Sequence, residues 1–471
     1  RQWIAANQGN LQLSLPSRNV GLAGRSTYNY DNKYFFEFNF GYNGSERFAK
    51  NNRWGFFPSA GVAWVVSNEN FFEKYKSAIH NLKLRYTYGL VGNDQIGDRY
   101  DRFFYLSQVN MEDGGRGSYF GENLDKGGPG IRINRYANEA ITWENSTKQN
   151  VAIELGLFNK ANIIAEYFTE HRRDILMTRA AIPSTMGLQA PIRANVGEAT
   201  AKGIDIQSDY THNINEHLWL SARANFTYST SKFKIYEEPD YSEAYRSRVG
   251  HSLTQNWGYI AERLFLDDAE ANNSPLQTFG GQYGGGDIKY LDVNKDGQIT
   301  SADQVPIGNP TSPEIIYGFG TSVGYKGFDL SVFFQGLANE SFWIDPVKTS
   351  PFQNQTQLLK AYADSHWSED NQNMYALWPR LSSNLVNNNI QSSTWFMRDG
   401  TFLRLKQAEI GYAIPGKWKE RIHLNNFRVY LSGTNLLMFS KFKLWDVEMG
   451  GNGLGYPLQK VFNLGINLSF N

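Results

Sequence analysis

The sequence contains no cysteine among its 471 residues. Disulfides, thiolate metal sites and cysteine nucleophiles are therefore excluded, and the absence fits an oxidising compartment in which stray thiols are hazardous. Net charge is absent too, because 46 basic and 46 acidic side chains cancel. A chain without excess positive charge is not expected to bind nucleic acid.

Long hydrophobic runs are also missing. The longest uninterrupted apolar stretches, such as Val62 to Val66, contain only five residues, whereas a helix needs about 20 apolar residues to cross a bilayer. The mean hydropathy of −0.50 points the same way. These values exclude helical spans but leave room for strands, because a barrel strand faces lipid with only every second residue and long polar loops dilute the average.

The segment 461–470 instead shows almost strict alternation. Its apolar positions are Phe462, Leu464, Ile466, Leu468 and Phe470. A side-chain period of two places this set on one face of a sheet and the small or polar residues between them on the other. Because similar segments recur without a membrane helix, the pattern favours lipid over a soluble core as the apolar partner. The sequence therefore predicts part of an outer-membrane β-barrel.

Turn and loop lengths support this prediction. Short polar pairs link strand-like runs at Asp31-Asn32, Asn159-Lys160 and Lys326-Gly327, which are too short for helices. Long polar or glycine-rich connections cover residues 93–145, 175–195, 236–313 and 339–400. Such lengths are unusual in compact soluble domains, whereas short turns on one side and long loops on the other are typical of outer-membrane barrels. We expect an all-β transmembrane antiparallel barrel wall of about fourteen strands, give or take two.

One local motif, within residues 286–310, predicts a calcium loop outside the membrane. Oxygen ligands at positions one, three, five, seven and twelve, with glycine (here Gly297) at six, are the spacing that wraps this hard cation. The predicted ligands are Asp292, Asn294, Asp296, Gln298 through its backbone carbonyl, and Asp303. Aspartate replaces the usual glutamate at position twelve, so the reach to the ion is shorter. The alternative is a metal-free turn, since Asp, Asn and Gly favour turns in any case.

Aromatic side chains in or beside the long connections form a second candidate site. They are Trp257, Tyr259, Trp343, Trp367, Trp378 and Trp395. Flat rings could stack on a substrate such as a sugar. The alternative is that they anchor loops, fill the barrel mouth or contact a partner protein.

The sequence contains no recognisable catalytic constellation. His171, His212 and His217 do not form a helical HExxH arrangement or another ligand set. No GxSxG elbow occurs. We therefore expect no enzymatic activity.

Several segments together resemble the C-terminal part of the SusC/RagA family of TonB-dependent outer-membrane transporters. They are residues 286–336 (beginning GDIKYLDVNKDGQITSADQ), LWPRLS at 377–382, FLRLKQAEIGYAIP at 402–415, and residues 427–448 and 456–470. Earlier segments such as FFEFNFGYNGSERF are similar to the middle of the same barrels. The resemblance covers nearly the whole chain.

The resemblance implies a barrel of about 22 strands with a plugged lumen. It also implies import of an oligosaccharide or peptide, energy from the TonB complex, and a SusD-like surface lipoprotein as partner. About fourteen strands cannot close such a barrel, and no segment resembles the plug. We therefore expect residues 1–471 to be the C-terminal part of the barrel, embedded in outer-membrane lipid, with the plug and N-terminal strands not in this chain. The alternative is a soluble or surface β-rich glycan-binding module with a calcium loop.

Overall fold

The computed structural model describes residues 15–470 except residue 17 and residues 98–101, 354–356 and 416–423. Its regular structure is almost entirely strand. The strands are β1 (Asn19–Tyr30), β2 (Tyr34–Ser45), β3 (Trp54–Val65), β4 (Ile79–Asn93), β5 (Gln108–Phe120), β6 (Lys126–Arg135), β7 (Glu144–Leu157), β8 (Ala161–Thr178), β9 (Arg193–Asn215), β10 (Leu218–Ile235), β11 (Trp257–Gly258), β12 (Ala261–Leu264), β13 (Leu276–Gln277), β14 (Ile288–Tyr290), β15 (Gln298–Ile299), β16 (Val305–Pro306), β17 (Ile315–Tyr325), β18 (Phe328–Ala338), β19 (Ser341–Trp343), β20 (Met397–Asp399), β21 (Phe402–Ala413), β22 (Leu424–Ser440) and β23 (Val461–Phe470).

Helices are few and short. The α-helices are Asp268–Asn272 and Lys360–Asp364. Turns of 3-10 helix cover Lys50–Asn52, Val66–Asn68, Asn70–Tyr75, Ser184–Met186, Ala244–Arg246, Ser301–Asp303, Asn387–Ile390 and Val447–Met449. Across the described residues, no helix has both the length and the apolar character needed to cross a membrane.

Thirteen of the strands form one antiparallel sheet. Their order is β1-β2-β3-β4-β7-β8-β9-β10-β17-β18-β21-β22-β23. Apart from the strands in the loops, each strand pairs with the next strand along the chain. This topology is an up-and-down meander. The sheet is open, with β1 and β23 at its edges. The all-β prediction of an incomplete barrel wall of about fourteen strands, give or take two, is therefore confirmed.

All three predicted hairpin turns lie at one rim of this sheet. Asp31 and Asn32 both have φ of 50°, the left-handed pair that a two-residue turn requires to match strand twist. Phe158 and Asn159 repeat it with φ of 52°, one position earlier than the predicted pair. Lys326 (φ 48°) and Gly327 (φ 90°) form the third turn.

The long connections all leave the opposite rim. They are residues 94–143, 179–192, 236–314, 339–401 and 441–460. The predicted connection 175–195 is shorter than expected, because β8 continues to Thr178 and β9 begins at Arg193. Connection 94–143 contains the hairpin β5–β6. The predicted asymmetry between short turns and long loops is thus present.

The register of the paired strands places their side chains on two opposite faces of the sheet. One transverse row consists only of exposed apolar or aromatic residues paired from strand to strand: Tyr28, Phe36, Val62, Tyr86, Val151, Tyr167, Ile204 and Tyr228. Each is at least 36% exposed. An apolar surface this continuous is expected to contact something other than water.

The main hydrophobic core lies in the loops rather than against the sheet. It gathers buried residues from the connections 236–314, 339–401 and 441–460 with the first residue of β21. Its buried members are Tyr259, Leu264, Ile288, Tyr290, Ile299, Phe342, Ile344, Tyr362, Trp367, Ala376, Trp378, Phe396, Phe402, Phe442 and Val447. These three long loops therefore form one packed assembly at the long-loop rim.

Candidate functional site

The face opposite the apolar row carries paired charges. On β4, Lys83 lies 3.3 Å from Glu154 of β7, and Arg85 lies 3.5 Å from the same carboxylate. Arg85 also contacts Glu166 of β8. Cross-strand pairing compensates these charges within the sheet. A polar, charge-balanced inner surface is what the lumen of a barrel presents.

On strand β22, the inner face carries Arg428, Tyr430, Ser432 and Thr434, which alternate with the outward residues. Arg428 contacts Asp329 of β18 and lies 2.7 Å from Glu409 of β21. Ser432 is paired with Glu409 and with Asn463 of β23. The inner face of β22 is therefore continuous with charged residues of the neighbouring strands.

The two-faced terminal strand is confirmed. Phe462, Leu464 and Ile466 are 67%, 78% and 59% exposed. Between them, Asn463 and Gly465 are paired with Ser432 and Tyr430 of the inner row. The apolar residues therefore continue the outer face of the sheet.

Above the lumen, a buried carboxylate joins two loops that are distant in sequence. Asp287, with a fully buried side chain, accepts hydrogen bonds from Arg380 Nε (2.8 Å) and Nη2 (3.0 Å). The Asn389 side chain (2.8 Å) and the Gly284 backbone amide (2.8 Å) also donate to it. The carboxylate raises the pKa of Arg380, so the guanidinium stays charged. Connection 236–314 is thereby tied to connection 339–401.

A network of buried amides surrounds this ion pair. Gln277 Nε2 donates to Asn388 Oδ1 (2.5 Å) and to the Ile288 carbonyl (2.9 Å). The Tyr290 hydroxyl donates to the Asn388 carbonyl at 2.7 Å, and burial raises the pKa of this tyrosine. Because buried polar groups are costly unless paired, the network fixes how the two loops meet.

In the calcium-like loop, the predicted ligands bond to the loop backbone. Asp292 accepts from the amides of Lys295 (2.7 Å) and Gly297 (2.8 Å). Asp303, fully buried, accepts from Val293 and Thr300, each at 2.8 Å.

The side chains of Asn294 and Asp296 also accept hydrogen bonds from backbone amides of the loop. Asn294 Oδ1 accepts from the Asp296 amide at 3.1 Å, and Asp296 Oδ1 accepts from the Gln298 amide at 2.9 Å. The left-handed residues Lys295 (φ 62°) and Gly297 (φ 85°) give the sharp turn expected. Within the described ranges, no group of three or more His, Cys, Asp or Glu side chains converges as a metal site would require. The turn fits the motif but the carboxylates are not gathered, and calcium binding stays a prediction.

Half of the six candidate aromatics are buried in the loop core. Tyr259, Trp367 and Trp378 are 4%, 7% and 4% exposed. Trp378 stacks on Tyr362, with ring centroids 4.4 Å apart. These three rings present no open face, so their placement supports packing rather than substrate stacking.

The other three aromatics are half-buried. Trp395 packs against the same core. Trp343 donates from Nε1 to Asn256 Oδ1 at 2.9 Å, and Trp257 packs edge-on against His251, with centroids 5.3 Å apart. Substrate contact by Trp257, Trp343 and Trp395 stays a prediction.

Sequence reasoning did not single out Asp287 and Arg380 as a pair. Both belong to segments already noted for family resemblance, GDIKY and LWPRLS. Their presence in those segments was the available signal, but nothing in the sequence indicated that the two residues touch.

An open meander with an apolar outer row, a charge-paired inner face, short turns at one rim and structured loops at the other is the wall of a membrane β-barrel. Comparison with known families agrees. The model of the TonB dependent receptor-like beta-barrel family matches residues 4–436. The chain belongs to this family, and its place is the bacterial outer membrane.

Curated relatives refine the position within the family. The chain is 27% identical to TonB-dependent receptor P3 of Formosa agariphila, over 96% of this chain and 45% of the relative. It is 26% identical to TonB-dependent receptor SusC of Bacteroides thetaiotaomicron, over 98% of this chain and 44% of that protein. The chain thus spans about half the length of the curated relatives it matches. The predicted resemblance to SusC/RagA proteins is confirmed.

A solved structure shows the same fold. The RagAB peptide transporter superposes with a TM-score of 0.70 at 21% identity, covering 96% of this chain and 48% of that chain. The match supports the barrel wall and its loops as a unit. The family match favours the barrel wall over the alternative considered from sequence, a soluble or surface β-rich glycan-binding module with a calcium loop.

Proposed function

We propose that this chain forms the lumen wall and external loops of a transporter that imports an oligosaccharide or a peptide across the outer membrane. The observation that carries the proposal is the packed assembly of three long loops above a charge-lined inner face. A porin-like hole needs no such assembly, whereas an importer that traps its cargo needs a shaped, persistent mouth.

The named relatives support this proposal. SusC is named a TonB-dependent receptor, and RagAB is named a peptide transporter. By analogy, the TonB complex supplies the energy through a plug region, and a SusD-like lipoprotein covers the loops. Transport of this kind requires binding and conformational change but no catalytic residue.

The proposal is tested by uptake in cells that carry the full-length transporter. Fluorescently labelled oligosaccharide and oligopeptide mixtures are supplied to cells with and without TonB, and surface binding is measured separately from internal label. Loss of uptake with retained binding in cells without TonB is the expected result. Equal uptake in both strains would refute active import.

Charge-paired inner strands provide a matched variant pair. Replacing Arg428 by Met leaves the carboxylates of Asp329 and Glu409 without their shared partner on the lumen face. The control, Lys326→Met, removes an exposed charge at the short-turn rim. We expect reduced uptake only in the first variant, with normal amounts of folded protein in both.

A further inference from the structure

On three strands, the outer face of the sheet becomes polar and basic above the apolar row. On β8, β9 and β10, the next outward row is Thr169, Lys202 and Thr230, paired with one another. The row above it contains His171, Thr200 and Lys232. Arg173 and Lys234 follow by strand alternation. Basic side chains therefore stand directly above an apolar belt.

These three strands are unusually long. They contain 18, 23 and 18 residues, whereas a tilted strand crosses the hydrocarbon with about 9–11 residues. Lys202 lies two residues beyond Ile204 of the apolar row, and Lys232 lies four residues beyond Tyr228. With a rise of ~3.3 Å per residue and a tilt of ~40°, these steps are ~5 Å and ~10 Å of height. That is headgroup depth on the long-loop side, which in outer-membrane barrels faces outward.

The basic side chains are only partly neutralised. Glu198 is the acidic residue in contact with them, 3.0 Å from His171 and 3.5 Å from Lys234. Arg173, Lys202 and Lys232 are exposed and have no ion-pair partner within the part of the chain that the structure describes. His171, Arg173, Lys202, Lys232 and Lys234 line one shallow groove of about 570 Å³.

The same transverse row carries no basic side chain on the strands before β8. It continues from Thr169 through Gln149 to Tyr88 of β4, Ala60 of β3 and Phe38 of β2, and Tyr88 and Phe38 are 48% and 36% exposed. The basic groove is therefore a local feature rather than a general rim of solvated charge. Lysine stems can cover apolar surface while their ammonium groups reach the headgroups.

We propose that this groove binds the phosphate groups of a phosphorylated glycolipid in the outer leaflet. The groove is the direct upward extension of the lipid-facing row, so a lipid is the source of phosphate that can reach it. Phosphate oxygens supply the countercharge that Arg173, Lys202 and Lys232 lack, and the acyl chains lie against Tyr167, Ile204 and Tyr228. The proposal depends on the placement in the outer membrane and not on which cargo is imported.

The test uses the full-length transporter, purified in mild detergent and titrated with bisphosphorylated lipid A. Bound lipid is counted by native mass spectrometry. Lys202→Gln/Lys232→Gln removes two charges from the groove, and the control Lys160→Gln/Lys326→Gln removes two exposed charges at the short-turn rim. At about fivefold per lysine, we expect about 25-fold weaker lipid A binding in the first variant and unchanged binding in the control.

Dephosphorylated lipid A should bind all three proteins alike, and Lys202→Arg/Lys232→Arg should retain wild-type binding. Equal loss in groove and control variants, or no loss in either, would overturn the proposal. Displacement of lipid A by millimolar inorganic phosphate would also overturn it, because the groove would then be a site for free phosphate. Resistance of the folded barrel to heating in detergent, compared on gels, verifies that every variant is folded.

Discussion

Removing Arg380 should loosen the loop assembly without disturbing the barrel wall. In Arg380→Ala, the fully buried Asp287 carboxylate keeps the Asn389 amide and the Gly284 amide but loses the one cationic contact that the described residues give it. Breaking a buried ion pair by removing one partner costs about 3–5 kcal/mol. Because the Arg380 side chain is 36% exposed, we expect the lower end, about 3 kcal/mol, which is roughly a 100-fold change in a local opening equilibrium.

Amide hydrogen exchange of the full-length transporter measures this opening directly. Protection in residues 284–291 and 377–391 should fall about 100-fold, while the strands keep theirs. Lys441→Ala is the control, since its 3.4 Å contact with Asp399 involves a side chain that is 85% exposed. An exposed pair of this kind contributes at most about 1 kcal/mol. Equal effects in the two variants, or exchange that rises throughout the sheet, would refute the reasoning.

Three further outcomes can be checked on the same protein. Arg263 holds the pKa of Glu270 at about 2, below the ordinary 4.5. Because a lowered pKa means that the folded state favours the ionised carboxylate, this stabilisation is complete above pH 4.5 and is lost as the pH falls towards 2. Amide exchange rates near residue 270 should therefore rise over that pH range. If residues 286–310 bind calcium, adding it after chelation should protect this loop from proteolysis, and Asp296→Asn should abolish the protection; identical cleavage with and without calcium would contradict the prediction. Asn32→Val places a branched side chain at φ 50° and should lower the stability of the β1–β2 hairpin by about 1–2 kcal/mol. The temperature at which the folded band is lost on gels measures this change. The control Thr27→Val, within β1, should leave that temperature unchanged.

Local sequence pattern was sufficient for the strands, their faces and their turns. Alternation at Phe462, Leu464 and Ile466 specifies an outer face because the pleat repeats every two residues. Asp31-Asn32 specifies a hairpin because few residues tolerate two successive left-handed conformations. These features depend on neighbours in sequence and needed no knowledge of the distant chain.

Features that depend on contacts between residues distant in sequence could not be predicted from the local sequence pattern. Asp287 and Arg380 are 93 residues apart, and no local rule pairs them. For Tyr259, Trp367 and Trp378 the sequence left both substrate stacking and loop packing open, because burial in a loop core leaves no periodic signal. Residues 175–178 of β8 and 193–195 of β9 were expected to lie in a connection, because a register shift after Arg172 interrupts the period of two before the two strands pair again.

One face of this sheet contacts lipid and the other faces the lumen. The most direct test is a spin-label scan of residues 461–469 in the full-length transporter reconstituted in lipid, helped by the absence of cysteine from these 471 residues. Labels at positions 462, 464, 466 and 468 should be accessible to oxygen, and those at 463, 465 and 467 should not, giving a period of two. Uniform accessibility along the segment, or the reverse alternation, would contradict the account.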